Sequence, residues 1–329
     1  DTPGGLKINT IHAFCEAVLQ RFPLEAGVPV GFSVIEDVEQ ADMIRHAIEQ
    51  VLAGGLSGQP DVADAVANLF AVMSDHQIDK AIHDALARPR LLRDVLADPE
   101  LAKRNLRSLL GTSDKLSRDQ IAEAVLHGGN FGKAEANAVF EITPPEPGQN
   151  RRFEDKLSQV EWDRLTPESL FKAFLTGAGH LPKKGFPKAD IIKADSALAD
   201  AMLAEAERLE TLFEQLKAAD ILACSTALLD VLVAVNAHYQ RAKALANRLD
   251  FDDLISKLVH LLSVREARDW VRYKLDSGIT HILVDESQDT NPDQWRVVEQ
   301  LSEEFFSGDG AVDRLRSVFA VGDEKQSIY

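Results

Sequence analysis

Cysteine is nearly absent from this chain, which has only Cys15 and Cys224 among its 329 residues. Two distant cysteines argue against a disulfide framework, and neither lies in a metal-ligand spacing. We predict that Cys15 packs within a helix instead of reacting. With 45% hydrophobic residues, the chain has enough material for one large or two ordinary domains with a sizeable core.

Long uninterrupted apolar runs are also missing. The most apolar stretch, residues 221–235, contains Asp230 and is flanked by Asp220 and His238, which predicts a buried helix in place of a membrane span. No signal peptide is recognisable. We therefore predict a cytoplasmic protein without membrane contact.

A surplus of positive charge is absent as well, because the net charge is −17 at pH 7. Affinity for nucleic-acid phosphates comes largely from Lys and Arg, so any such binding must use a local surface. Two basic clusters stand out, Arg88, Arg90, Arg93, Lys103, Arg104 and Arg107 in one, and Lys183, Lys184, Lys188 and Lys193 in the other. The alternative for each cluster is an ordinary solvated face. From the first cluster we select Arg90, Arg93, Arg104 and Arg107 as candidate contacts to duplex DNA.

Residues 282–291 read ILVDESQDTN, an apolar run that ends in Asp285 and Glu286. Residues 281–284 are too short and too apolar for a surface helix and predict a buried parallel strand, whose carboxyl end is where open α/β sheets hold ligands. Asp285 is then placed to hold Mg²⁺, directly or through its water, and Glu286 to orient and deprotonate an attacking water. The alternative is a strand that ends in two solvated acids.

A second motif, VFAVGDEKQSIY, occupies residues 318–329. The ordered pair resembles motifs II and III of superfamily 1 DNA helicases of the UvrD type. Three further segments resemble landmarks of that family, namely residues 9–15 (NTIHAFC), 32–37 (FSVIED) and 249–255 (LDFDDLI). Residues 290–295 and 304–310, with Glu324, are similar to the AddA-type helicase-nuclease subunits of double-strand break repair, although RecB-like and UvrD- or Rep-like proteins share the motifs.

The resemblance implies a role for each matching residue. Mg²⁺ on Asp285 and the base Glu286 would hydrolyse ATP, and Gln326 would contact the γ-phosphate and pass its state to DNA. Gln288 would serve nucleotide coupling or packing. The resemblance also implies contacts to single-stranded DNA, with Thr10 and His12 on its backbone and Tyr329 against a base. It implies an AddB-like partner subunit.

The phosphate-binding motif G-x-x-x-x-G-K-[ST], which such ATPases need, does not occur in this sequence. The nearest match, residues 127–134 (HGGNFGKA), has His at the first glycine position and Ala in place of the metal-binding hydroxyl, so we predict a loop at a helix stop. We expect the chain to be the middle piece of a larger protein and to be inactive alone. The competing hypothesis is a catalytically inactive module that binds DNA or a partner subunit.

The predicted fold class is α/β with a large, mostly α-helical insertion. Residues 1–37 and 246–329 would belong to a RecA-like P-loop motor domain, and residues 38–245 to a helical insertion like subdomain 1B. Hydrophobic spacing predicts helices over residues 10–21, 40–52, 62–73, 78–86, 91–110, 119–126, 154–162, 167–175 and 196–246, the last as one helix or two.

Overall fold

The computed structural model describes residues 8–56, 62–112, 117–146, 152–182, 184–264, 270, 271, 274, 279, 281–303, 316–323 and 325, with Pro89 and Arg90 described by backbone alone. Two compact units divide the chain. One unit comprises Asp1–Ala53 with Ala234–Tyr329, and the other comprises Gly54–Val233.

Helices dominate the described residues, and the strands are short. The helices are α1 Ile11–Arg21, α2 Asp37–Leu56, α3 Ala63–Val72, α4 Asp75–Leu86, α5 Pro89–Ala97, α6 Pro99–Leu109, α7 Arg118–His127, α8 Lys133–Ile142, α9 Phe153–Leu157, α10 Pro167–Phe174, α11 Ala189–Ala194, α12 Ser196–Leu245, α13 Phe251–Ser263 and α14 Pro292–Ser302. The strands are β1 Ser33–Val34, β2 Arg248–Leu249, β3 His281–Val284 and β4 Ser317–Ala320.

The core of the first unit forms where α13 packs between α1 and α14. Leu258 and Leu261 of α13 are completely buried, as are Leu19 of α1 and Val297 of α14. Cys15 is also completely buried in this cluster, so the prediction that it packs within a helix is confirmed. Burial raises the pKa of its thiol to about 12, which keeps Cys15 protonated and unreactive at neutral pH.

A buried polar network fixes the start of α13 in this unit. Asp250 caps the helix by accepting the Asp253 N–H at 2.8 Å. Lys243 Nζ lies 2.7 Å from Asp250 Oδ2 and 2.5 Å from Asp253 Oδ2, and the Tyr239 hydroxyl donates to Asp250 at 2.8 Å. Burial alone would raise the pKa of Asp250, but the Lys243 ammonium brings it below its ordinary value. The carboxylate therefore stays ionised and paired.

The second unit has a separate core that contains a group of packed phenylalanines. Phe174 of α10 packs edge-to-face on Phe131 and Phe153, with ring centroids 5.2 Å apart in both pairs. Met202 and Leu209 of α12 are completely buried in the same cluster. Edge-to-face contact is a preferred arrangement of aromatic rings. The buried residues of this cluster give the unit a hydrophobic core of its own.

Several predicted helices are wrong in extent. Helix α2 is longer than predicted at both ends and α4 at its start. Residues 91–110 form two helices, because the Asp98 carboxylate accepts the Leu101 N–H at 2.8 Å and starts α6 at Pro99. The helix predicted over 154–162 stops at Leu157, where the Ser158 hydroxyl donates to the Asp155 carbonyl at 2.8 Å and so competes with the next helical bond. Residues 196–245 form a single helix. No helix bounds were predicted for α8, α11, α13 and α14.

Helix α12 is long and apolar enough to cross a membrane by length and composition, and an 18-residue window of it is 28% buried. The expected burial of residues 221–235 holds for only part of that stretch. Val231 and Val235 are completely buried, whereas Ile221 is 51% exposed. The reason is that the stretch packs along one side, with its start more open to solvent.

The division between the compact units falls inside helices. It lies at Ala53/Gly54 within α2 and at Val233/Ala234 within α12, whereas the sequence pattern places section boundaries at 37/38 and 245/246. Since both helices continue through the division, no change of hydrophobic period marks it. The assignment of the sections to a motor and an insertion stays a prediction.

Candidate active site

Strand β3 leads directly into Asp285 and Glu286, and it pairs in parallel with β4, from His281 opposite Ser317 to Val284 opposite Ala320. The predicted parallel strand is confirmed. Its predicted burial is wrong, because Leu283 is 70% exposed and Phe319 on β4 is 62% exposed. A strand is buried on both faces only where other layers cover both, and the described residues do not supply those layers here.

Glu286 has a left-handed backbone conformation, with φ 49° and ψ 46°. This conformation costs a residue with a side chain about 1–2 kcal/mol, and such outliers concentrate at functional sites. The Glu286 N–H donates to Asp285 Oδ1 at 3.0 Å. The turn therefore places two adjacent, exposed carboxylates at the carboxyl end of β3.

The loop after β3 and the loop after β4 are joined by backbone hydrogen bonds. The Val321 N–H donates to the Val284 carbonyl at 2.9 Å, and the Ser287 N–H donates to the Val321 carbonyl at 2.8 Å. The two sequence motifs, some 35 residues apart, thus meet at one end of the strand pair.

The Gln288 side chain adds a second connection between these loops. Its Nε2 donates to Glu286 Oε2 at 2.6 Å, and its Oε1 accepts the Asp323 N–H at 3.0 Å. Gly322 permits this approach, since a Cβ there would collide with Ser287 Oγ and come within 2.6 Å of Gln288 Oε1. Gln288 therefore contacts the candidate base directly.

The donor set fits Mg²⁺ held by one carboxylate. No cluster of three or more His, Cys, Asp or Glu among the described residues is arranged to hold a metal ion. Mg²⁺ characteristically uses one or two carboxylates together with waters and substrate phosphates. Asp285 is exposed, and its Oδ1 accepts a backbone N–H, so this carboxylate would be the one to hold the metal.

Gln326 and Tyr329, predicted at the γ-phosphate and at a DNA base, lie outside the described residues. The last described part of their motif is anchored locally, because the Lys325 N–H donates to Asp323 Oδ1 at 2.9 Å. The roles of Gln326 and Tyr329 stay predictions.

Thr10 and His12 lie at the start of α1, on the first unit. The Thr10 hydroxyl oxygen caps the helix by accepting the Ala13 N–H at 3.2 Å, which leaves the hydroxyl proton available as a donor. The His12 ring packs edge-on against Phe251 at 5.0 Å between centroids. Phe251 is 42% exposed and was not predicted as a site residue, although it lies inside the LDFDDLI segment.

The sequence matches the UvrD/REP helicase N-terminal domain over residues 3–329. This chain belongs to that family. Across 98% of its length it is 24% identical to an AddA-type ATP-dependent helicase/nuclease of Bacillus pumilus, covering 28% of that protein. The AddA-type helicase/nuclease of Desulfitobacterium hafniense is 35% identical over 31% of this chain and 7% of the relative. "ATP-dependent DNA helicase PcrA" of Bacillus subtilis is 37% identical over 30% of this chain and 12% of the relative.

The chain thus spans less than a third of the length of each of these relatives. Membership confirms the resemblance to UvrD-type helicases, and one relative aligned over nearly the whole chain is an AddA-type protein.

On this UvrD/REP domain, the first basic cluster lies on α5 and α6, with Arg88 at the residue before α5. Arg93, Arg104 and Arg107 are exposed, and only the backbone of Arg90 is described. Lys103 is different, because its Nζ lies 2.7 Å from Asp230 and 3.0 Å from Glu100. The hydrogen bond to Asp230, partly opposed by burial, raises the pKa of Lys103. Lys103 is therefore a structural cation, and Asp230 its partner.

The second basic cluster is also partly occupied by internal pairing. Lys188 Nζ donates to the buried Glu154 carboxylate at 3.1 Å.

The glycine-containing segment 127–134 joins two helices, since α7 ends at His127 and α8 begins at Lys133. The prediction of a loop at a helix stop is confirmed for this segment of the UvrD/REP domain.

Proposed function

We propose that this chain supplies the metal-binding and general-base carboxylates of an ATP-dependent DNA helicase and translocase that acts in recombinational repair of double-strand breaks. The observation that carries the proposal is the placement of Asp285 and Glu286 at the carboxyl end of a parallel strand, in contact with the loop of the second motif. Family membership supports the helicase assignment, and the names of the AddA-type relatives support the repair role.

Each carboxylate has a distinct chemical task in this proposal. Asp285 holds Mg²⁺, which when bound neutralises charge on the β- and γ-phosphates of ATP. Glu286 orients the attacking water and accepts its proton. Gln326 contacts the γ-phosphate, and its motif carries that state to the DNA.

The same proposal assigns the rest of the fold. Residues 1–37 and 246–329 are part of a RecA-like motor domain, and residues 38–245 are a helical insertion like subdomain 1B. Thr10, His12 and Tyr329 engage single-stranded DNA, and the arginines of α5 and α6 face duplex DNA. An AddB-like protein is the expected partner, and the complete protein is cytoplasmic.

Glu286→Gln in the full-length protein tests the catalytic assignment. The amide keeps the shape of the side chain but cannot accept the proton of water, so DNA-stimulated ATP hydrolysis should fall by about 10²–10⁴-fold. Binding of nucleotide and of single-stranded DNA should be retained. Steady-state phosphate release and equilibrium binding titrations measure the two effects.

Glu299→Gln is the matched control for this change, since Glu299 is exposed on α14 and the substitution removes the same charge. The control should hydrolyse ATP at the wild-type rate. Hydrolysis by the Glu286 variant within about threefold of wild type would reject Glu286 as the base.

A further inference from the structure

The Gln288 amide has two different partners, one in each motif. Its nitrogen donates to the Glu286 carboxylate at 2.6 Å, and its oxygen accepts the Asp323 N–H at 3.0 Å. A glutamine side chain has separate donor and acceptor ends, and both ends are used here within the protein. The family resemblance alone does not decide whether the role of Gln288 is nucleotide coupling or packing.

Glu286 needs such support because its backbone is held in the left-handed region. A strained residue keeps a defined orientation only when its surroundings over-determine it. The backbone bond from Ser287 to Val321 holds the turn, but among the hydrogen bonds that the structure shows to the Glu286 carboxylate, the donor is Gln288.

The second end of Gln288 reaches a loop whose position is set by β4. Asp323 follows Val321 and Gly322, and the Val321 N–H is bonded to the end of β3 at 2.9 Å. Gly322 leaves room for the Gln288 amide, since a Cβ there would come within 2.6 Å of its oxygen. A shift of the Asp323 backbone would therefore move the Gln288 side chain, which is hydrogen-bonded to the Glu286 carboxylate.

We propose that Gln288 is a positioning residue that aims the Glu286 carboxylate and links it to the second motif, and that it does not bind the nucleotide. This inference rests on the proposed function for its kinetic consequence. A hydrogen bond that fixes a base in a productive geometry affects turnover, whereas a nucleotide contact affects substrate affinity. The two roles thus predict different kinetic effects.

Two substitutions separate the two ends of the amide. Gln288→Met keeps the length of the side chain and loses both hydrogen bonds. Gln288→Glu keeps an oxygen for the Asp323 N–H but replaces the donor to Glu286 by a second carboxylate. Gln294→Glu is the matched control, because it adds the same charge at a capping-box position where Glu is equally suitable.

In the full-length protein, both Gln288 variants should lower the kcat of DNA-stimulated ATP hydrolysis by about 10- to 100-fold, the loss typical of a misplaced catalytic group. The KM for ATP should stay within about threefold of wild type, and the Gln294 control should match wild type in both constants. A raised KM with unchanged kcat would make Gln288 a nucleotide-binding residue and overturn the proposal. Wild-type kinetics in both variants would overturn it as well.

Amide hydrogen exchange at Asp323, measured by NMR on the 329-residue chain, tests the link without any ATP hydrolysis. The Asp323 amide should exchange at the wild-type rate in Gln288→Glu and at least about threefold faster in Gln288→Met, because only the second change removes its acceptor. Equal exchange in all forms would reject the link. A Glu286→Gln protein with full activity would instead reject the proposed function, and the exchange result would still decide the role of Gln288.

Discussion

In the proposed function, the His12 ring contacts DNA as a neutral imidazole. Partial burial lowers the pKa of His12 below its ordinary value of 6.5, and the carboxylate of Asp252 opposes that shift. At pH 7 the ring is therefore mainly uncharged and can offer a phosphate an N–H donor but no positive charge. Protonation, and the stronger charge-assisted bond that it permits, should come only as the pH falls below the ordinary pKa.

Substitution of His12 in the full-length protein should distinguish DNA binding by the neutral ring from DNA binding by the protonated ring. His12→Ala should weaken single-stranded DNA binding about 3- to 10-fold at pH 7 and at pH 8.5, the value of one hydrogen bond. His12→Gln keeps a neutral donor and should bind within about twofold of wild type in that range. Below pH 6, wild-type affinity should rise more steeply than that of the Gln variant.

Fluorescence anisotropy titrations at constant salt measure these affinities, with His46→Gln as the control because the His46 side chain is 76% exposed on α2. If His12→Ala bound DNA as tightly as wild type at every pH, His12 would be a packing residue for Phe251 and not a DNA contact.

The strand that carries the first motif was predictable because its signal is local. Asp285 and Glu286 follow an apolar run, and that pattern predicts the parallel strand that the structure has. The roles of the two acids, as metal ligand and base or as solvated carboxylates, stay a prediction. The contact between Gln288 and Asp323 was not predictable, since it joins residues 35 positions apart. The left-handed backbone of Glu286 also had no local signal, because neither Gly nor Asn occupies the position.

At the scale of elements, spacing predicted the existence of most helices better than their ends. Asp98 and Pro99 divide the predicted helix 91–110 because an aspartate before a proline is a helix start. The exposure of β3 was missed because an apolar run looks the same whether neighbouring layers cover it or not. Lys103 was grouped with the arginines of the first basic cluster because its pairing with Asp230 has no local signal. That pairing joins α6 to a residue 127 positions later.

Helix α6 offers a direct test of the duplex-facing surface. None of its residues is buried, and Arg104 and Arg107 are exposed. Reversal of both charges to Glu in this chain should weaken duplex binding for every sequence. It should also lower the slope of log affinity against log salt by about two units, one for each phosphate contact removed.

Lys103→Gln is the control from the same helix, because Lys103 is engaged with Asp230 and Glu100. This variant should keep the wild-type salt slope. Titrations with labelled duplex at several salt concentrations measure both slopes. An unchanged slope in the double reversal would show that Arg104 and Arg107 are solvated charges that do not contact DNA.

At the scale of the whole molecule, the acidic charge of −17 and DNA binding are compatible only if the contacts are local. The proposed contacts are separate small surfaces, the start of α1 on one compact unit and helices α5 and α6 on the other. Electrostatic attraction to phosphate falls off within about 10 Å at moderate salt. Acidic residues far from these surfaces therefore reduce their affinity for phosphate much less than neighbouring acidic residues would.

In the proposed function, this chain supplies the metal and base carboxylates but not the loop that binds the phosphates of ATP. Two adjacent acids without that loop form a poor site for a polyanion. The direct test compares phosphate release from Mg-ATP, with and without single-stranded DNA, by the 329-residue chain and by the full-length protein. We predict DNA-stimulated release by the full-length protein and only background release by the chain alone, whereas DNA-stimulated release above background by the chain alone would contradict this division of the ATP site.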